Sequence, residues 1–194
     1  MKKILISIGV VLFIALLVAG VVWRLHVSPL QLGGGSGQTA SGVPVDESGL
    51  GKSSGRDVPP NAAEYYNPYF NFSLLYPNIL KPGEHPEGEN ALTVTFEEIT
   101  PKTVDGFQIF IVPYPGGQIT DARFKEDDPS GVRQNLKDIK VDGAVGAEFD
   151  STDHILGATH EVWFIHGGYL YEVTTFKELG SWLDQLMTTW KFTP

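Results

Sequence analysis

Residues 158–176 read ATHEVWFIHGGYLYEVTTF. Two runs rich in β-branched and aromatic residues flank the pair Gly167-Gly168, the pattern of a hairpin closed by a two-residue turn. Counting outward from that turn pairs His166 with Tyr169, Phe164 with Tyr171, Val162 with Val173 and His160 with Thr175 on one face. The other face takes Ile165 with Leu170, Trp163 with Glu172, Glu161 with Thr174 and Thr159 with Phe176. Both faces are apolar near the turn, whereas a sheet open to water on one side alternates more cleanly. The hairpin is therefore expected at the centre of a sheet covered on both sides. The C-terminal helix is to cover one face, and a shorter helix or a long loop the other.

The same count limits what the histidines do. His160 and His166 share a face but lie six residues apart, about 20 Å along a strand, so they cannot hold one metal ion. HEVWFIH also departs from the zincin pattern, because Phe164 stands where its second histidine belongs and that motif needs a helix. The stretch reads as scaffold.

Strand patterns continue upstream. YFNFSLLYP alternates Phe70, Phe72, Leu74 and Tyr76 against Asn71, Ser73 and Leu75; NALTVTFEE places Leu92, Val94 and Phe96 on one side; GFQIFIVPYP does the same with Phe107, Ile109 and Ile111. A short helix is expected over 121–127, and one or two further helical turns in SGVRQNLK from Ser130. IKVDGAVGAEFD, residues 139–150, reads as two strands around an Asp142-Gly143 turn. In SWLDQLMTTWKF the residues Leu179, Trp182, Leu183, Leu186 and Trp190 recur at helical spacing, with Ser181 and Asp184 as a capping box.

The N-terminal part is of another kind. Residues 4–23 carry no charge, and twenty helical residues span about 30 Å, the thickness of a bilayer core. Lys2 and Lys3 before the run outweigh Arg24 after it, which predicts a single pass with the N-terminus in the cytoplasm. The alternative, a secreted protein after signal cleavage, would use the small residues near Val18 to Gly20. The Gly/Ser/Pro-rich stretch that follows reads as a flexible tether, about 30 Å in typical reach. Its GKS at residues 51–53 is no phosphate loop, since Asp46 stands where the first glycine belongs. The expected organisation is an anchor over 1–25, a linker over 26–61 and a globular domain over 62–194.

From Asn61 onward 9 Lys/Arg face 20 Asp/Glu, a net charge of −11. Such a surface repels phosphate backbones, so nucleic acid is excluded as a partner, while cations and basic surfaces suit it. The lack of cysteine rules out disulfides, thiolate metal sites and a cysteine nucleophile. No cofactor motif is present.

The residues with most chemical promise lie in FDSTDHILG. There His154, Asp150 and Asp153, with His160 if it lies opposite on the next strand, are the candidate ligands of a divalent cation. An extracytoplasmic enzyme working through His154 and these carboxylates is the alternative function. Glu126, Asp127 and Asp128 do not have the spacing of an EF-hand loop. Tyr65, Tyr66, Tyr69 and Trp163 are candidates either for a recognition patch or for the core.

The aromatic opening strand ending in Tyr-Pro, the Asp-Gly turn before Ala-Glu-Phe, and the final helix running into TWKF together resemble the PsbP-like family of extracytoplasmic proteins, named for an extrinsic subunit of photosystem II. The likeness covers about residues 64–194. It implies an α+β fold, an antiparallel β-sheet flanked by helices as an α/β/α sandwich, here after an N-terminal transmembrane helix. It also implies a non-enzymatic binding or assembly module, without implying a photosynthetic role. No binding residue carries over, because no functional motif matches position by position. The expected partners are the membrane, through residues 4–23, and an extracytoplasmic protein or ligand.

Overall fold

The computed structural model describes residues 56–88, 90–99, 104–129, 131–153 and 156–193. The expected membrane span and most of the linker lie outside the described residues, and among the described ones no helix is long and apolar enough to cross a membrane.

The hairpin register is the one counted from the turn. Strands β8 (Gly157–His166) and β9 (Tyr169–Phe176) pair His166 with Tyr169, Val162 with Val173 and Thr159 with Phe176. Gly167 and Gly168 take φ of 60° and 84°, the left-handed pair that a type I′ turn requires. Five further strands complete an antiparallel sheet: β3 (Lys81–Gly88), β4 (Ala91–Ile99), β5 (Val104–Pro113), β6 (Gln134–Val141) and β7 (Ala144–Asp153). The order is β3-β4-β5-β9-β8-β7-β6, so β8 and β9 are central.

Both faces are covered, as their composition requires. On one lies a second sheet of three strands, in the order β1 (Ala62–Asn67), β2 (Phe72–Pro77) and β10 (Lys191–Phe192), together with helix α2 (Gly180–Met187). Phe72, Leu74, Val94, Phe107, Ile109, Phe164, Tyr171, Leu183 and Trp190 fill this core. The opposite face packs Phe110, Val112, Phe149, Trp163 and Leu170 under helix α1 (Asp121–Asp127), which contributes Phe124. The fold is thus mostly β, with two sheets and, among the described residues, two α-helices. One cover is a mixed layer of sheet and helix, where the sequence suggested helix alone.

Four local expectations change. Residues 134–137 are strand β6, not helix: Val132 and Leu136 have helical spacing but are 55% and 51% exposed, so a helix there would bury neither. The strand instead pairs with β7 around an irregularity at Gln134 and Lys137. Strand β3 is absent from the apolar pattern because Pro82 and Pro86 interrupt it; an edge strand tolerates proline, since it needs N–H groups on one side only. The last helix stops at Met187, and the following residues turn to pair Phe192 with Phe72 while Trp190 stacks on Phe72 at 4.3 Å. Finally, α2 is entered from a 3-10 turn (Lys177–Leu179), so Ser181 already lies inside the helix and makes no cap.

Gly106 shows how tightly β4 and β5 meet. Its φ is 150°, and a Cβ there would stand 1.9 Å from the Phe96 carbonyl oxygen. Gly117 has nothing within 4 Å. Gly106→Ala is therefore expected to lower the melting temperature by well over 5 °C, roughly the effect of 2 kcal/mol in a domain of this size, while Gly117→Ala leaves it within about 2 °C. Equal melts for the two variants would contradict this packing.

Candidate functional site

Two polar groupings lie back to back on the two faces of β8, because neighbouring residues of a strand point to opposite sides. His160 belongs to the face under α2, and Glu161 to the face under α1.

At the first, Asp150 of β7 sits directly opposite His160, as the sequence allowed. His160 Nδ1 lies 3.0 Å from Asp150 Oδ1, and Nε2 lies 2.9 Å from Asp184 Oδ1 of α2. Carboxylates only accept hydrogen bonds, so both ring nitrogens donate and the ring is an imidazolium. Burial works against that charge, but the hydrogen bonds to Asp150 and Asp184 outweigh it and raise the His160 pKa above its ordinary value. In return the His160 hydrogen bond, helped by Asn135 and Lys177, holds Asp150 down at about 2. Asp150 Oδ2 accepts from Asn135 at 2.8 Å and pairs with Lys177 at 3.1 Å. Glu148 pairs with Lys137 at 2.8 Å, and one ligand atom each of Glu148, His160 and Asp184 lie within 4.8 Å of one another. These groups line an open cleft of about 410 Å³. Three carboxylates meet three cations, so the corner is electrically balanced.

Gly180 makes this corner possible. The first turn of α2 rests on the imidazole, and a Cβ at Gly180 would stand 2.9 Å from His160 Cγ. Of the other sequence-predicted ligands, Asp153 pairs its backbone with Gly157 at the end of β7, and His154 lies outside the described residues. Asp184, read as a capping residue, is the contact that the sequence reading missed.

The second grouping is buried. Gln108, Thr174 and Glu161 form one cross-strand row; Phe110, Glu172 and Trp163 form the next. Helix α1 closes over them with Arg123 and Asp127, which pair with each other. Asp127, Glu161 and Glu172 are 4%, 7% and 5% exposed. Glu161 Oε2 accepts from Thr174 Oγ1 at 2.7 Å and from Trp163 Nε1 at 3.2 Å. Burial still lifts its pKa to about 7, and burial with the neighbouring Asp127 raises Glu172 well above the carboxylate range. Arg123 Nη2 is 3.9 Å from Glu172 Oε1, too far for a hydrogen bond. A cavity of about 40 Å³ lies among these side chains. The signal in the sequence was Glu161 and Glu172 on a hairpin face predicted to be covered. Of the aromatic candidates, Tyr65 and Trp163 are core, at 5% and 3% exposed, and Tyr69 is at the surface.

No protein-family profile and no curated protein sequence matches the chain. Among solved structures it is similar to the cyanobacterial PsbP (CyanoP) of Synechocystis sp. PCC 6803, determined in solution, at TM-score 0.51 and 15% identity, over 74% of this chain and 99% of that one. The chain carries a PsbP-like fold.

The pKa directions set a pH dependence. The raised His160 value gives stability that is complete below about pH 6.5, the unfolded value, and lost as pH rises through the folded one. Glu161 runs the same way: its unfolded carboxyl ionises first, so stability drains between about pH 4.5 and its folded value of about 7, roughly 3 kcal/mol in all. Asp150 acts at the acid end, with a contribution present above about pH 3.8 and lost toward its folded value of about 2. The melting temperature should therefore fall from pH 5 to pH 8. Glu161→Gln should remove much of that fall and stabilise the domain at pH 8; a melting temperature that climbs over this interval would refute the assignment. Gly180→Ala should destabilise, although alanine is the better helix former by about 1 kcal/mol. Combined with His160→Ala it should stabilise instead, and a double-mutant cycle on thermal melts reads the change of sign.

Proposed function

We propose that the chain is a membrane-held, non-enzymatic binding or assembly module whose PsbP-like domain works outside the cytoplasm. The observation that carries the reading is the clamped His160. The sequence offered His160 only as a partner of His154 and its carboxylates. Both its ring nitrogens are engaged by Asp150 and Asp184, so it has no lone pair to take a proton from a substrate, which supports the non-enzymatic reading. His154 itself lies outside the described residues. The likeness to an extrinsic photosystem protein fold supports a docking role, and residues 4–23 with the tether supply an anchor that raises local concentration near the bilayer.

The edges of the large sheet favour docking through side chains over strand addition. Strand β3 carries two prolines, and β6 is irregular near its start and bears Lys137 and Lys140. The net charge of −11 from Asn61 onward makes a basic surface the matching partner.

Protease added to intact cells should remove the domain and leave a fragment ending within residues 26–61. Survival of the domain until lysis would overturn the orientation. Mass spectrometry of the N-terminus should find Met1; a start near residue 21 would mean release instead of anchoring. Partners co-purified non-covalently with the full chain from native membranes should dissociate several-fold more readily when salt rises from about 0.05 to 0.5 M.

A further inference from the structure

The grouping under α1 is not balanced. Asp127, Glu161 and Glu172 are all buried, and Arg123 is the cation among them. Ionised together, the three carboxylates would carry two negative charges in excess, and a buried set of this kind stays partly protonated unless it is paired or coordinates a metal. A self-sufficient polar network would also use every oxygen it buries. This one does not: Gln108 Oε1 is buried without a hydrogen-bond partner, the carboxyls of Asp127 and Glu172 bond each other only by sharing a proton, and all three residues line the same cavity. Gln108 is the most telling, since it is 5% exposed and carries no charge that a neighbour would have attracted.

We propose that this cavity, walled by Asp127, Glu161, Glu172 and Gln108, is a binding site for one hard divalent cation such as Ca²⁺ or Mn²⁺. The volume of about 40 Å³ holds an ion with a water, about the room of one or two water molecules, and no organic ligand. The lining supplies carboxylate and amide oxygens with no imidazole or thiolate, the donor set of a hard cation and not of zinc or copper. One divalent charge cancels the excess of the three buried carboxylates, and the half-buried Asp128 in the same lining offers a fourth acidic donor. The cation would tie α1 to strands β5, β8 and β9, so the site belongs to the α1 face and is separate from the His160 corner. The proposal stands apart from the docking role, because neither its residues nor its test depends on a partner.

The test uses the full chain, purified in detergent and stripped with EDTA. Terbium(III), a luminescent stand-in for calcium, is titrated under tryptophan excitation and then competed with CaCl₂ and with MnCl₂. A single saturable site is expected, displaced by either divalent ion. Its sensitised emission should largely vanish in Trp163→Phe, because that indole lines the cavity. Glu172→Gln and Gln108→Leu, close in shape to the native side chains, should each weaken binding about tenfold or more. The pair Asp150→Asn and Asp184→Asn should leave it unchanged. Metal-free melts check that each variant is folded; should Glu172→Gln not melt cooperatively, Gln108→Leu carries the comparison. Absence of saturable binding, emission that persists in Trp163→Phe, or affinity lost in the Asp150 and Asp184 pair but kept in Glu172→Gln and Gln108→Leu would each overturn the proposal.

Discussion

The structure depends on burying both faces of the β8–β9 hairpin at once. Phe164 stacks on Tyr171 at 5.0 Å beneath Trp190, which meets Phe164 edge-on, while one residue away Trp163 packs against Phe124 and Phe149 on the reverse side. Aromatic side chains bury large areas, so neither face can be left to water. That requirement calls for two covers. The cheaper cover, the second sheet with α2, is supplied by strands from the two ends of the domain, since β1 and β2 open it and β10 closes it. The other is the single short helix α1. Linking the first and last strands in one layer makes the domain's ends interdependent: β10 pairs with β2, and Leu75 N donates to Thr189 Oγ1 at 3.0 Å.

Covering two faces has a chemical consequence. A one-faced sheet turns its polar residues to solvent, but here the polar positions of the hairpin are roofed on both sides. The side under α2 resolves this with matched charges, His160 between Asp150 and Asp184 and lysines at the rim. The side under α1 has Arg123 alone against three carboxylates. The contrast is one of charge balance and of water access: the first corner opens on a wide cleft, the second on a cavity with room for about one or two waters.

The parts of this that were legible in the sequence are those set by period-two alternation with a marked turn. The hairpin at Gly167-Gly168, the turn at Asp142-Gly143, the inward sets Leu92-Val94-Phe96 and Phe107-Ile109-Ile111, and α1 all follow from local pattern. What failed was context. Val132 and Leu136 fall at helical spacing by chance: Leu136 is exposed on the edge strand β6 and Val132 is exposed just before it, where no burial enforces alternation. Pro82 and Pro86 hide β3 for the same reason. Asp184 next to Ser181 satisfies a capping pattern, yet its carboxylate goes to a histidine 24 residues away in the chain, which no local rule contains. The pairing of Asp150 with His160 was reachable from strand order, and the acidic pocket from the charge on a covered face. Neither could be weighed without knowing what α1 brings to it.

Register links the two faces. His160 and Glu161 are adjacent, so a slip of β8 by one residue would exchange them. Glu161 would then face Asp150, Asp184 and Glu148 as a fourth carboxylate with no imidazolium between, and His160 would enter the pocket beside Arg123. The first outcome buries like charges together. The alternative register is thereby penalised on the α2 face, in addition to the exposure of Phe164 and Trp163 to the wrong packing partners. The tight Gly167-Gly168 turn fixes the count from one end, and the charge pattern at His160 and Glu161 fixes it from the other. A hairpin of this composition, apolar on both sides near its turn, has little hydrophobic preference between registers there. The polar residues at its far end, costly as they are to bury, are what make one register the ground state.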